Sequence, residues 1–361
     1  MFRSLLCGGK VRALSRHGHA QCRVGGVTSS PVGGRGVELA RTNGPRPTLE
    51  AVAAHAGVSR ATVSRVVNDG PGVRAEVRER VHRSVTELGY VPNSAARSLV
   101  TRRTGAVAVI VAEPESRVFS DPFFARQLRG IGRELAAHDA QLLLTFLEEA
   151  GDGARVSRYL AAGHVDGVLM FSLHGAEPPL DGAAERAGLP VVYGGRPGWQ
   201  GAAADPALLY VDTDNRGGAR QAVAHLLERG RRRIAVITGP LDQTSAQDRL
   251  DGSRDALTAA GLGPPPAADG RFTAEGGERA MAELLDRAPG LDAVFAGSDL
   301  MATGALRTLR ERGLRVPADV AVVGYDDLEP ASWADPPLTT VRQDVERMGR
   351  IMAGLLLRCL G

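Results

Sequence analysis

"VSRATVSRVVN" (residues 58–68) packs two serines, a threonine and two arginines around four valines. Ser59 is placed to cap a helix, because its hydroxyl can accept from an orphan amide of the first turn. Helical spacing then turns Val63, Val66 and Val67 toward one side. Arg60, Ala61, Ser64 and Arg65 are left near the other. A preceding stretch, "LEAVAAHA" (49–56), has Thr48 as its cap and Gly57 as its stop. Two short helices meeting at a glycine, the second one capped, predict a helix-turn-helix. In that motif the second helix enters the major groove of DNA and offers its first residues to base edges. The plainer alternative is a surface helix that happens to carry serine and arginine. A third helix follows in "RAEVRERVHRSVTELG" (74–89), where Val77, Val81, Val85 and Leu88 share a face and Gly89 ends the run. Pro92 in "YVPNSAARSL" (90–99) then breaks the chain before a further short helical stretch.

Charge separates this front from the rest. The 361 residues carry a formal net charge of +3, but residues 1–45 hold +6, residues 46–103 hold +5 and residues 104–361 hold −8. A basic front on an acidic body suggests that the front alone meets a polyanion. Lys10 is the one lysine, so a single arginine elsewhere carries little information. With 43% hydrophobic and 24% charged residues, the composition is that of a soluble globular chain of two or three domains. The longest apolar runs fall well short of the ~20 residues of a membrane span. Cys7, Cys22 and Cys359 lie far apart without metal or disulfide spacing, which fits a reducing cytoplasm. Residues 1–45, rich in Gly, Arg and Ser, show no helix or strand period. They are expected to be either a disordered basic tail or the product of a mis-assigned start.

From Gly105 the pattern changes. Strand-like runs occur at "AVAVIVA" (106–112), "LLLTF" (142–146), "GVLMFS" (167–172), "VVY" (191–193), "RIAVIT" (233–238), "DAVFAG" (292–297) and "DVAVVGY" (319–325). Amphipathic helices such as "NRGGARQAVAHLLERG" (215–230) alternate with them. Near-continuous apolar strands between helices predict parallel sheets covered on both faces. So many units over this length predict two doubly wound lobes, with a crossing near "GGRPGWQGAAADP" (194–206). Ligands of such folds bind at the carboxyl ends of strands, between lobes. Arg196, Asp299 and Asp326 stand at such ends. Asp299 can equally cap its helix, and Asp326 can equally be a turn residue.

"TLEAVAAHAGVSRATVSRVVN" (48–68) with "VRAEVRERVHRSVTELGYVPNSAARSL" (73–99) resembles the N-terminal domain of the lactose-repressor (LacI/GalR) family. The resemblance continues through "DPFF" (121–124), "VDGVLMF" (165–171), "DTDNRGGA" (212–219), "GSDLMATGAL" (297–306), "VVGYDD" (322–327) and "PPLTTVRQD" (336–344). It covers about residues 46–361 and implies an all-α helix-turn-helix domain followed by an α/β, periplasmic-binding-protein-like core of two doubly wound parallel-sheet lobes. The division expected is 46–92 for DNA binding, 93–103 for a hinge helix or linker, and 104–361 for the effector-binding and dimerisation core. Lobe 1 is expected at about 104–198 with 325–343, and lobe 2 at about 207–324 with 344–361.

By the resemblance, Ser59, Thr62, Ser64 and Asn68 would hold phosphates, while Arg60, Ala61 and Arg65 take part in sequence readout. An alanine at 61 can read only by apolar contact, such as with a thymine methyl. Thr48, Tyr90, Asn93, Ala96 and Arg97 are further expected DNA contacts. Leu99 would be a wedge in the minor groove, its unstacking cost offset by the bend it permits. In the core, Phe124, Arg220 and Asp299 match ligand-contacting positions. Ser253 replaces a bulky aromatic after "RLDG" (249–252), which argues against a flat purine and toward a sugar.

The function implied is that of a cytoplasmic, nucleoid-associated transcriptional regulator, a repressor by its architecture. It would bind a palindromic double-stranded operator as a homodimer, switched by a small-molecule effector and using no cofactor or metal. A nucleoside- or purine-responsive regulator of the same build is the alternative. A transporter's solute-binding component is a more distant one, at odds with the helix-turn-helix. An enzyme is not expected, since the chain has no phosphate loop with lysine, no GxSxG elbow and no HExxH.

Overall fold

A computed structural model describes residues 4–6, 47–91, 103–148, 151–175, 179–202, 205 and 207–361. They divide into two units, one within Arg16–Thr104 and one built from Met1–Ser15 with Gly105–Gly361. The expected contacts Asn93, Ala96, Arg97 and Leu99 lie outside the described residues.

The first unit is a bundle of α1 (Leu49–Ala56), α2 (Arg60–Val67) and α3 (Ala75–Leu88). Local chemistry sets each end. Thr48 Oγ1 accepts from the Ala51 amide at 3.2 Å, and Ser59 Oγ accepts from the Thr62 amide at 3.1 Å. Each thereby satisfies an amide that has no partner inside its helix. Gly57 stops α1 at φ +62°, a left-handed conformation that glycine adopts without steric cost. Val52, Ala56, Val63, Val66 and Val81 fill the interior, and all are nearly or fully buried. Tyr90 closes the core beneath them at 9% exposure.

The second unit is built from two parallel sheets. One runs in the order β3-β2-β4-β5-β6, from β2 (Ala106–Val111), β3 (Gln141–Phe146), β4 (Gly167–Phe171), β5 (Val191–Gly194) and β6 (Leu209–Val211). The other runs β1-β11-β10-β9-β7-β8, from β1 (Ser4–Leu6), β7 (Ile234–Thr238), β8 (Ala267–Asp269), β9 (Ala293–Ala296), β10 (Ala321–Asp326) and β11 (Thr339–Arg342). β2 and β4 are fully apolar and almost wholly buried because helices cover both faces. The same holds for β7 and β9 in the other lobe.

Two expectations need correction. Residues 1–45, which show no strand period, nonetheless contribute one short strand: Ser4, Leu5 and Leu6 pair in parallel with Thr340, Val341 and Arg342. Three residues are too few to display a period, and an open sheet edge accepts any backbone that reaches it. The closing segments are also exchanged between lobes. Val323–Asp326 pairs with Thr339–Arg342 in parallel, so β11 and the end of β10, expected in lobe 1, complete lobe 2. The last helix, α13 (Val345–Leu360), instead packs on lobe 1, where Met352, Ala353 and Leu356 join Val107, Val109 and Leu169. Glycine permits this docking against α5 (Pro122–Ala136): a Cβ on Gly130 would stand 2.0 Å from the Glu346 carbonyl oxygen, and one on Gly349 2.3 Å from that of Gln127. Alternating strands and helices reveal a doubly wound sheet but not the point at which the chain changes lobes.

Candidate DNA-reading face and effector cleft

On α2 the division of faces follows the helical period. Val63 and Val66 are buried and Val67 partly so, while Arg60, Ala61 and Arg65 are exposed and Thr62 and Ser64 half-buried. Ser59 and Asn68 stand exposed at the two ends of the helix. The Asn68 side-chain amide donates to the Ser64 carbonyl oxygen at 2.9 Å, which steadies the last turn. Arg60 pairs with Glu50 of α1 at 3.0 Å, both side chains in solvent. Such a pair contributes little stability, so the guanidinium is free to exchange a carboxylate for a phosphate or a guanine edge. His55 Nδ1 lies 3.0 Å from Ser84 Oγ and ties α1 to α3. Tyr90 was expected among the DNA contacts, but its ring belongs to the bundle core. An aromatic in a short bundle gains more from burial than from exposure.

The effector cleft lies between the two sheets at the carboxyl ends of β2, β4, β7, β9 and β10. It has two adjoining compartments, of 80 and 60 Å³. Phe123, Ser172, Gln243, Ser245, Arg249 and Gln343 line both. A larger open groove of 590 Å³ lies along Arg126, Asp327, Glu329 and Arg342. There Arg126 pairs with Glu329 and Arg342 with Asp327, so its charges largely cancel each other.

Arg249 is the central cation of the cleft, placed by α9 (Thr244–Ala259) and 7% exposed. Its Nε donates to Asn215 Oδ1 at 3.0 Å, and Nη1 donates to the Gly297 carbonyl oxygen. Its guanidinium carbon lies 3.7 Å from the Tyr325 ring centroid and 5.7 Å from that of Phe272. Desolvated cation–π contacts of this kind hold the group flat and fixed. Asp326 Oδ1 lies 3.7 Å from Arg249 and accepts from Gln343 Nε2 at 2.5 Å. Burial pushes the Asp326 carboxyl up from 3.8 to about 7, against the pull of Arg249. Asp326 also holds φ at +113°, a strained backbone for a residue with a side chain. Asp121 caps α5 by accepting from the Phe123 amide at 2.9 Å, and burial raises its carboxyl to about 6. Phe124 is 1% exposed, with Arg117 5.8 Å above its ring.

Three of the six expected effector residues line this cleft: Phe124, Arg196 and Asp326. Arg196 does so while its Nη2 donates to both carboxylate oxygens of Asp248, at 2.8 and 2.9 Å. The other three do not line it. Arg220 is exposed on α8 (Asn215–Glu228). Asp299 is 1% exposed and accepts from Thr340 Oγ1 at 2.6 Å and from the Leu328 amide at 2.9 Å. Burial and the neighbouring Asp326 charge raise its carboxyl well above the usual range. The cleft is lined instead by its chain neighbour Ser298, which caps α11 (Asp299–Glu311). Ser253 is wholly buried and donates to the Arg249 carbonyl oxygen at 2.8 Å, one turn along the same helix. It therefore says nothing about an aromatic wall, which Phe272 and Phe124 supply. Sequence reasoning missed Arg249, Gln343, Asp121 and Phe272. Arg249 stood inside the "RLDG" segment, hidden by the abundance of arginine. Gln343 followed a strand, as a ligand contact should, and could have been found by that signal.

A helical unit that presents short polar and arginine side chains, joined in one chain to a two-lobed core with a charged cleft, defines an effector-responsive DNA-binding regulator. The comparisons agree. The model for bacterial regulatory proteins of the lacI family matches residues 48–93, and that for a periplasmic binding protein-like domain matches 223–361. The HTH-type transcriptional regulator CelR of Thermobifida fusca is 51% identical over 314 residues, covering 86% of this chain and 91% of its own. A solved CelR–cellobiose complex is similar at a TM-score of 0.67 and 48% identity, covering 87% of this chain and 93% of that one. The lac repressor dimer bound to operator and the anti-inducer ONPF is similar at a TM-score of 0.76 and 30% identity, covering 87% and 92%. The chain belongs to the LacI family of transcriptional regulators.

Proposed function

We propose that this protein is a repressor that binds a two-fold operator as a dimer on the nucleoid and is switched by a disaccharide of the cellobiose kind. The relatives that support this are the CelR–cellobiose complex and the operator-bound lac repressor dimer. The observation that carries the effector reading is the Arg249–Asp326–Gln343 group beside Phe272 and Phe124. A fixed guanidinium, a carboxylate and an amide supply the directed hydrogen bonds a sugar hydroxyl needs, and the aromatic walls cover its apolar faces. Two joined compartments suit two linked rings. In this reading Phe124, Arg249, Asp326 and Gln343 contact the first ring, with Arg196 near the second. On the DNA side, Arg60, Ala61 and Arg65 read base edges, while Ser59, Thr62, Ser64 and Asn68 hold phosphates, Thr48 capping the helix beside them.

The test is calorimetric titration with cellobiose, ribose and a nucleoside, followed by operator retardation with whichever binds. Cellobiose binding that changes the operator affinity is the expected result. Binding of the nucleoside alone would replace the sugar with a purine or pyrimidine effector. In the segment after Tyr90, Leu99 is proposed as the minor-groove wedge, with Asn93, Ala96 and Arg97 beside it at the backbone. Leu99→Ala is expected to weaken operator binding about tenfold while leaving effector binding unchanged.

A further inference from the structure

Among the described residues, three ion pairs join the lobes: Arg126 with Glu329 at 2.6 Å, Arg196 with Asp248 at 2.8 Å, and His174 with Asp242 at 3.0 Å. Two of these cations are guanidiniums, which stay charged at any physiological pH. His174 is different, because an imidazole changes charge near neutrality.

His174 follows β4 in lobe 1, as Glu113 follows β2. Its Nε2 lies 3.0 Å from Glu113 Oε1, within its own lobe. Its Nδ1 lies 3.0 Å from Asp242 Oδ2, which belongs to the loop after β7 in lobe 2. Beside Asp242, Gln243 Nε2 stands 2.7 Å from His174 Nε2 and 3.2 Å from Glu113 Oε1. Ser172 Oγ donates to Glu113 Oε1 at 2.5 Å, and Arg117 reaches the same oxygen at 2.6 Å. The charged groups around the imidazole are therefore Glu113, Arg117 and Asp242, with Asp121 next to Arg117 and Glu113. A doubly protonated ring donates from Nδ1 to Asp242 and from Nε2 to Glu113, and so spans both lobes, with the Gln243 amide turned to present its oxygen rather than its nitrogen to Nε2.

We propose that His174 is an interlobe clasp whose protonation favours the closed arrangement of the lobes. Its two carboxylate partners divide the work. Glu113 stays with His174 when the lobes part, because both belong to lobe 1, whereas Asp242 leaves with lobe 2. Closing thus adds one carboxylate to the imidazole, and the closed form binds the proton more tightly than the open form. The raised pKa of His174, for which Glu113 is the leading cause and Asp242 a further one, has this sign. By linkage, the clasp is fully present below the open-form pKa and is lost as pH rises through the closed-form pKa. The chemistry is that of a proton-dependent closure of the two lobes over the cleft. It rests on the two-lobed reading but not on the identity of the effector.

Hydrogen exchange on the effector-free, full-length protein tests this, read on the loops around Glu113 and Asp242 near pH 6 and pH 8 after correction for intrinsic rates. Wild type is expected to lose protection about threefold or more between the two. Asp242→Asn and His174→Gln are expected to show low protection at both. Asp242 is 47% exposed, so its variant keeps the fold. In Asp242→Asn, the His174 ring, assigned by the resonance missing from His174→Gln, titrates at lower pH than in wild type. Protection independent of pH in wild type would overturn the clasp. An equal pH dependence in all three proteins would also overturn it, since the effect would then belong to Asp121 and Asp326. An unchanged His174 titration in Asp242→Asn would do the same. A failure of cellobiose to bind leaves each of these outcomes readable.

Discussion

The helical unit and the effector core handle polar groups in opposite ways. Among the described residues of the bundle, the buried side chains are valines, alanines and Tyr90, with Ser84 the one buried polar group. Its chemistry stands outside, on Arg60, Ala61 and Arg65. The core buries Glu113, Asp121, Gln243, Arg249, Asp299, Asp326 and Gln343 around its cleft. The difference follows from the partners. A polyanion is met at the surface, where a helix need only keep its apolar side inward and its short polar side chains close to the groove. A small effector is instead enclosed in the cleft. It must be held by fixed donors and acceptors away from water, where each hydrogen bond counts for more.

The comparison is tested most severely at Arg249. Arg249→Ala removes the cation shared by Asn215, Gly297 and Asp326 and leaves a buried carboxylate without it. Losing one partner of such a group costs on the order of 3–5 kcal/mol. Calorimetry is expected to show at least about a hundredfold loss of effector affinity, while operator binding without effector persists in a retardation assay.

The pH dependence of the core is the next test. Asp326 at about 7 and Asp121 at about 6 are both raised by burial from 3.8. The folded core thus holds protons that the unfolded chain has released. Their contribution to stability is present at low pH and lost as pH rises toward about 7, the reverse of a salt-bridged surface carboxylate. Asp326→Asn is expected to flatten the fall in thermal stability between about pH 5 and pH 7.5, an effect on the order of 3 kcal/mol.

Smaller effects sharpen the other side. Val63→Ala opens a void in a small core that has little to spare, at a cost of about 2 kcal/mol. Melting of the helical unit and operator affinity should both fall, with effector affinity unchanged. Ser59→Ala leaves the α2 cap amide without its acceptor and costs about 1 kcal/mol. It is expected to weaken operator binding a few-fold, read by retardation at fixed salt.

The two regions were also unequally legible. Every element of the bundle was visible, because its signals are local: a cap at Thr48, a stop at Gly57, a second cap at Ser59 and valines at helical spacing. That the Tyr90 ring packs in the core was not legible, because an aromatic after a helix stop reads the same whether it points in or out. In the core, Arg196 and Asp326, read from the carboxyl ends of strands, and Phe124, read from the resemblance, line the cleft. Asp299 and Ser298 were confused, since adjacent residues at a helix N-terminus differ only in which way each side chain turns.

By itself, then, the order of residues determined the helix-turn-helix, the parallel strands and the basic front. All of these are written in spacings of a few residues that backbone geometry must obey. Only the tertiary structure decided that α13 returns to lobe 1, that Arg249 rather than Arg220 enters the cleft, and that His174 faces a carboxylate from each lobe. Those facts depend on which distant segments meet, and a helical or strand period carries no record of what lies across from it.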